Sequence, residues 1–204
     1  MLLQTAINTV FQIIVFFFIP VIWWLFTKRK KENFFVWVGL KRPRCSDKTK
    51  GFIISLLTFI LLLLPGMYLV FSFENKALLA NAKFAGLGIN GVIPVLLYSV
   101  IQTGLCEEVF FRGFLNKRIS QKFGFGVGNI TQSVLFGLLH SVTLVGNIDM
   151  MFVIITVIFT FIVGLLMGYL NEKIFNGSIA LSWAIHSLVN IVSSSMFLLG
   201  LISI

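Results

Sequence analysis

Glu107, Glu108 and Arg112 lie within six residues of one another, inside a mainly apolar run from Val92 to Leu115. Moving one charged side chain to a bilayer centre costs roughly 2.5–3.5 kcal/mol on insertion scales, so ionisable groups at such a depth point to function and to a protein-lined cavity. On a helix, Glu108 and Arg112 are four apart and share a face, which suits a supporting ion pair, whereas Glu107 lies about 100° round the axis and is left free.

The chain contains two histidines, His140 and His186, and both also fall in apolar stretches. Phe136 and Asn190 are their same-face companions, each four residues away. At about 1.5 Å rise per residue, Glu107 sits roughly 15 Å from Lys117, His140 roughly 22 Å from Phe125 and His186 roughly 10–12 Å from Ile179. Three separate spans thus carry polar groups to one depth near the membrane middle, where they can share one cavity.

The chemistry open to such a set is narrow. Glu107 can take a proton from water, and His140 can orient that water or relay the proton. His186 and Asn190 can donate hydrogen bonds to a developing oxyanion, so the set suits peptide-bond hydrolysis inside the membrane. Glu107, His140 and His186 are equally a candidate zinc ligand set with one open position. The residue types do not choose between these two.

The elements that must position these groups are helices. At 204 residues, 58% apolar and 11% charged, with mean hydropathy +1.00, the chain reads as an all-α polytopic membrane protein. Six spans are expected: Leu3–Phe26 with a kink at Pro20, Phe52–Phe73, Gly91 to the basic stop Lys117-Arg118, Phe125–Val145, Met151–Leu170 and Ile179–Leu201. Thr27–Lys50 is read as a polar loop, Glu74–Asn90 as a connection and Asp149 as a turn.

The formal charge of +9 does not indicate nucleic acid, because nine of the sixteen Lys and Arg residues fall in the single loop Thr27–Lys50. That clustering places the loop in the cytoplasm and both termini outside a cell membrane; an additional affinity for anionic lipid is a secondary reading. Cys45 and Cys106 offer no disulfide framework. Phe110 and Phe111 are read as packing or lipid-facing residues. A first unit, residues 1–90, comprises two spans and the basic loop; a second, residues 91–201, carries every candidate site residue.

These motifs resemble those of the CPBP family, the CAAX proteases and bacteriocin-processing enzymes also called Abi. Glu107-Glu108-x-x-x-Arg112, Phe136-x-x-x-His140 and His186-x-x-x-Asn190 match its pattern in order, type and spacing. The resemblance implies an intramembrane endopeptidase in which Glu107 activates water with His140, His186 and Asn190 bind the oxyanion, and Glu108 and Arg112 support the site. It also implies a membrane-associated peptide or protein substrate, and leaves a zinc metalloprotease and a metal-free glutamate enzyme equally open. Compactness and Phe, Ile, Lys and Asn usage point to a bacterial source. The expected architecture is a polar cavity opening toward the cytoplasmic half. Two rivals come from other classes: a non-catalytic scaffold or bacteriocin self-immunity protein, and a proton-coupled carrier using Glu107 and the histidines as a relay.

Overall fold

Length and hydropathy dictate that most backbone polar groups be satisfied within helices, and the computed structural model, which describes residues 1–73 and 75–202, is built that way. We number its helices α1 (Leu2–Thr27), α2 (Phe34–Val38), α3 (Lys48–Ser72), α4 (Gly88–Phe123), α5 (Phe125–Ser141), α6 (Met150–Ile174) and α7 (Ala180–Leu198). No strand occurs among the described residues. Five of these helices, α1, α3, α4, α6 and α7, are long and apolar enough to cross a membrane. The expected fourth span is α5, a 17-residue helix that stops at Ser141, four residues short of Val145.

Pro20 and Pro65 lie inside continuous helices α1 and α3. Glu74, the expected start of the α3–α4 connection, lies outside the described residues. The connection beyond it contains two short 3₁₀ turns, Lys76–Leu78 and Ala82–Phe84.

The loop Thr27–Lys50 contains more structure than its polarity suggests. Asn33 caps α2 by accepting from the Phe35 N–H, and Phe34, Trp37 and Val38 are buried against Val109, Phe114 and Ile179. Gly39 ends α2 at φ +94°, where a Cβ would also lie 2.5 Å from the Gly177 carbonyl; only glycine suits that left-handed and crowded position. Its carbonyl accepts from the Ile179 N–H, which ties the loop to the start of α7.

Helix α4 is the axis on which the site is built. Over Leu97–Leu105 and Glu108–Asn116 its turns are widened to i→i+5 bonding, a form usually confined to single turns and often found at functional sites. Around it, α5 and α6 approach closely because Gly164 and Gly168 face Ser133 and Asn129; a Cβ on Gly164 would lie 2.9 Å from Ser133 Cα. This small-residue spacing lets dispersion and polar side chains join helices that lipid cannot drive together. Gln132 Nε2 donates to the Gly164 carbonyl at 2.9 Å and Asn129 Nδ2 to that of Leu165 at 3.1 Å. Lys117 pairs with Glu172 and donates to the Gly177 carbonyl, fastening the ends of α4 and α6.

Candidate active site

Glu108 and Arg112 are both fully buried, one helical step apart on α4. Arg112 Nη1 lies 3.3 Å from Glu108 Oε1, and the guanidinium carbon stands 4.1 Å from the Phe136 ring centre on α5. The two charges thus stand at ion-pair distance with an aromatic face beside the cation, while Arg112 Nε, Nη1 and Nη2 have no hydrogen-bond partner among the described residues. Phe111 is buried against the same Phe136, while Phe110 is part-buried and packs on Phe16 of α1.

Glu108 does more than hold Arg112. Its Oε2 accepts from Ser182 Oγ at 2.6 Å, and Oε1 lies 3.1 Å from His186 Nδ1. Asn171 Nδ2 donates in turn to Ser182 Oγ at 2.8 Å, so α6 and α7 are bound to one carboxylate of α4. Charge-assisted bonds of this kind are stronger than neutral ones and fix the geometry of what they touch.

Glu107 faces the cavity and is 8% exposed. Its Oε2 lies 3.8 Å from Nε2 of His140 and 3.8 Å from Nε2 of His186, and it has no direct hydrogen-bond partner among the described residues. Tautomers follow from what each Nδ1 touches. His140 Nδ1 is 2.9 Å from the Phe136 carbonyl, which can only accept, so Nδ1 carries the proton. His186 Nδ1 donates to the Glu108 carboxylate by the same reasoning. The His140 Nε2 lone pair therefore faces Glu107 across a gap that a proton donor such as water can bridge, and His186 Nε2 faces the same carboxylate, an acceptor in the neutral ring and a donor in the imidazolium.

The same donor set bears on zinc. Tetrahedral coordination with bonds of about 2.0–2.1 Å puts neighbouring ligand atoms roughly 3.4 Å apart, whereas both His–Glu separations are 3.8 Å. No group of three His, Cys, Asp or Glu side chains among the described residues is drawn together as a metal shell. At these separations the three side chains do not form a closed zinc shell.

Asn190 completes the set on α7. Its Nδ2 donates to Thr103 Oγ1 at 2.8 Å, which leaves its second N–H for the cavity. All four expected catalytic side chains, Glu107, His140, His186 and Asn190, line one cavity of about 570 Å³ with Tyr98, Gln102 and Lys83, a volume in the range of ligand sites. Lys83 Nζ stands 4.0 Å from the Tyr98 ring centre, and burial lowers the pKa of its ammonium from the ordinary lysine value. A smaller, mainly apolar pocket of about 240 Å³ approaches His140, His186 and Asn190 from the α3, α6 and α7 side.

The direction of the cavity corrects the sequence reading. Its walls include Ala80, Asn81 and Lys83 of the α3–α4 connection, Thr143 beyond α5, and Phe11 and Gln12 of α1. These residues lie toward the end of the bundle opposite the basic loop, and no residue of that loop lines the cavity. Depth along each helix placed the site at mid-membrane, but depth alone does not say which end the walls leave open. On the α1 side the wall is held by polar contacts: Thr9 Oγ1 and Gln102 Oε1 are 3.4 Å apart, as are Gln102 Nε2 and Gln12 Oε1.

Ser182, Asn171, Thr103 and Lys83 were missed by motif reasoning. The first three are small polar residues in spans, a type that ordinarily glues helices; Lys83 is one of two lysines in a connection. Only the spacing of Ser182, four residues before His186, offered a signal, since it puts both on one face.

With this geometry in place, comparison with known proteins adds one finding. The family model described as "Type II CAAX prenyl endopeptidase Rce1-like" matches residues 88–192, which is just over half of the chain and includes Glu107, Glu108, Arg112, His140, His186 and Asn190. No curated protein and no solved structure matches.

Proposed function

Because this chain belongs to the Rce1-like family of type II CAAX prenyl endopeptidases, we propose that it is an intramembrane endopeptidase whose nucleophile is a water activated by Glu107. The observation that carries this reading is the 3.8 Å separation of Glu107 Oε2 from Nε2 of both histidines, with no direct partner between them. A water in that gap donates to Glu107 and His140 and directs an oxygen lone pair at the scissile carbonyl carbon.

Attack transfers the water proton to Glu107 and forms a tetrahedral oxyanion. With Glu107 and Glu108 ionised and Arg112 cationic, one imidazolium makes the buried cluster neutral. His186 is the ring placed to carry it, because Glu108 already holds its Nδ1–H. Its Nε2–H and the unspent N–H of Asn190 then stabilise the oxyanion. Collapse breaks the C–N bond, Glu107 returns its proton to the leaving amine, and two peptides result. Glu108, Arg112, Ser182 and Asn171 act as positioning residues that fix His186.

The substrate in this reading is a membrane-associated peptide or protein that enters at the end bearing Asn81 and Lys83. Residues 91–201 form the catalytic core, and the basic loop is assigned to the cytoplasmic side by its charge, which sets the cavity mouth on the other face. The test is cleavage of a peptide panel by wild type and Glu107→Gln, with loss of turnover in a folded variant as the expected result.

A further inference from the structure

Arg42, Arg44 and Lys48 are exposed, and no acid pairs with any of them among the described residues. They surround a slot of about 580 Å³ whose remaining walls include Cys45, Phe52, Phe175 and Leu181. Cations thus sit at the rim and apolar side chains below. The slot lies where α3 begins, beside Phe175 just past the end of α6 and the first turn of α7, at the basic end of the bundle. Phe52, Ile53 and Leu56, which continue down α3 from it, are all largely exposed on the bundle's outer surface.

Positive-inside topology accounts for a basic loop but not for its being built into a fixed rim. Three contacts fix it here. Ser178 Oγ donates to the Lys41 carbonyl at 2.6 Å, Ile179 N–H donates to the Gly39 carbonyl at 2.9 Å, and a Cβ on Gly51 would lie 2.8 Å from Cys45 Sγ. The segment carrying both arginines is therefore clamped to α7 at one end and to α3 at the other. Asp47, the nearest acid in sequence, is occupied in capping α3 through the Lys50 N–H. Glu172, which adjoins Arg44 in the neighbouring hollow, is held by Lys117.

We infer that this slot binds an anionic glycerophospholipid, its phosphate on Arg42, Arg44 and Lys48 and the upper part of its acyl chains on Phe52, Phe175 and Leu181. Arginine forks match phosphate oxygens in pairs, juxtamembrane cations favour anionic lipid, and the apolar floor adds what a free phosphate cannot use. Leu181 immediately precedes Ser182, so the occupied slot braces the turn of α7 that holds Glu108.

The test titrates purified protein in detergent with dioleoyl phosphatidylglycerol, dioleoyl phosphatidylcholine and glycerol 3-phosphate, reading the melting temperature and lipid retention by native mass spectrometry. Wild type is expected to bind phosphatidylglycerol at least tenfold more tightly than phosphatidylcholine and to show no shift with glycerol 3-phosphate. The double variant Arg42→Gln/Arg44→Gln loses that preference, whereas Lys28→Gln/Arg29→Gln, with the same charge removed elsewhere in the loop, keeps it. Phe52→Glu, which sets a carboxylate against the apolar wall of the slot, also loses it and serves if the arginine double variant does not fold. Equal binding of the two lipids, equal losses in both double variants, or full binding by glycerol 3-phosphate would each overturn the site.

Discussion

Replacing Arg112 with methionine leaves Glu108 as a buried carboxylate without its cation. Breaking a buried pair by removing one partner costs about 3–5 kcal/mol. The bonds from Ser182 and His186 remain, and a methionine sulfur against Phe136 restores part of the lost contact. The loss should therefore fall near the lower end, about 3 kcal/mol, or roughly a hundredfold in the folding equilibrium. The double variant Glu108→Gln/Arg112→Met removes both charges and keeps an acceptor for His186 Nδ1–H, so it should lose only about 1 kcal/mol. A thermodynamic cycle then shows coupling of about 2 kcal/mol or more. Equilibrium unfolding in mixed micelles, followed by the intrinsic fluorescence of the chain's four tryptophans, measures all four proteins. A loss below about 1 kcal/mol for Arg112→Met, or additive losses in the double variant, would refute the argument.

Asn190→Ala removes one oxyanion donor and should lower kcat about 10²–10³-fold with little change in KM, measured by steady-state cleavage; an unchanged kcat would remove Asn190 from the mechanism. Gly164→Leu forces α6 away from Ser133 on α5, and should cost about 1–3 kcal/mol of stability in the same unfolding assay, with activity falling because His140 rides on α5. Cysteines placed at Asn81 and at Ser46, in a background with Cys45→Ser, should be labelled by an impermeant maleimide from opposite faces of the membrane, Asn81 from outside. Labelling from one common face would contradict the assigned topology.

Most of the site was legible because charge is expensive in an apolar span. Glu107, Glu108 and Arg112 therefore stood out singly, and two histidines and one asparagine at matching depths completed the group. The helices were legible for the same reason of composition, although α5 is shorter than the span expected there. What stayed hidden depends on contacts between elements. Ser182 and Asn171 look like ordinary helix glue until Glu108 is seen at the end of their hydrogen-bond chain. The approach of α5 to α6 depends on Gly164 and Gly168 meeting Ser133 and Asn129, a pairing that no single segment displays. α2 was hidden because Phe34, Trp37 and Val38 lie in a loop dominated by charge, and the cavity mouth because its direction is set by which helices leave a gap.

The most direct test of the central claim is single-turnover cleavage of a mixed panel of lipidated and unlipidated membrane peptides by wild type and Glu107→Gln, each with and without a metal chelator. The account predicts cleavage by wild type that survives chelation, and none by a Glu107→Gln protein whose unfolding curve and lipid retention match wild type. Retained cleavage by Glu107→Gln, or wild-type activity lost to the chelator and restored by zinc, would contradict it.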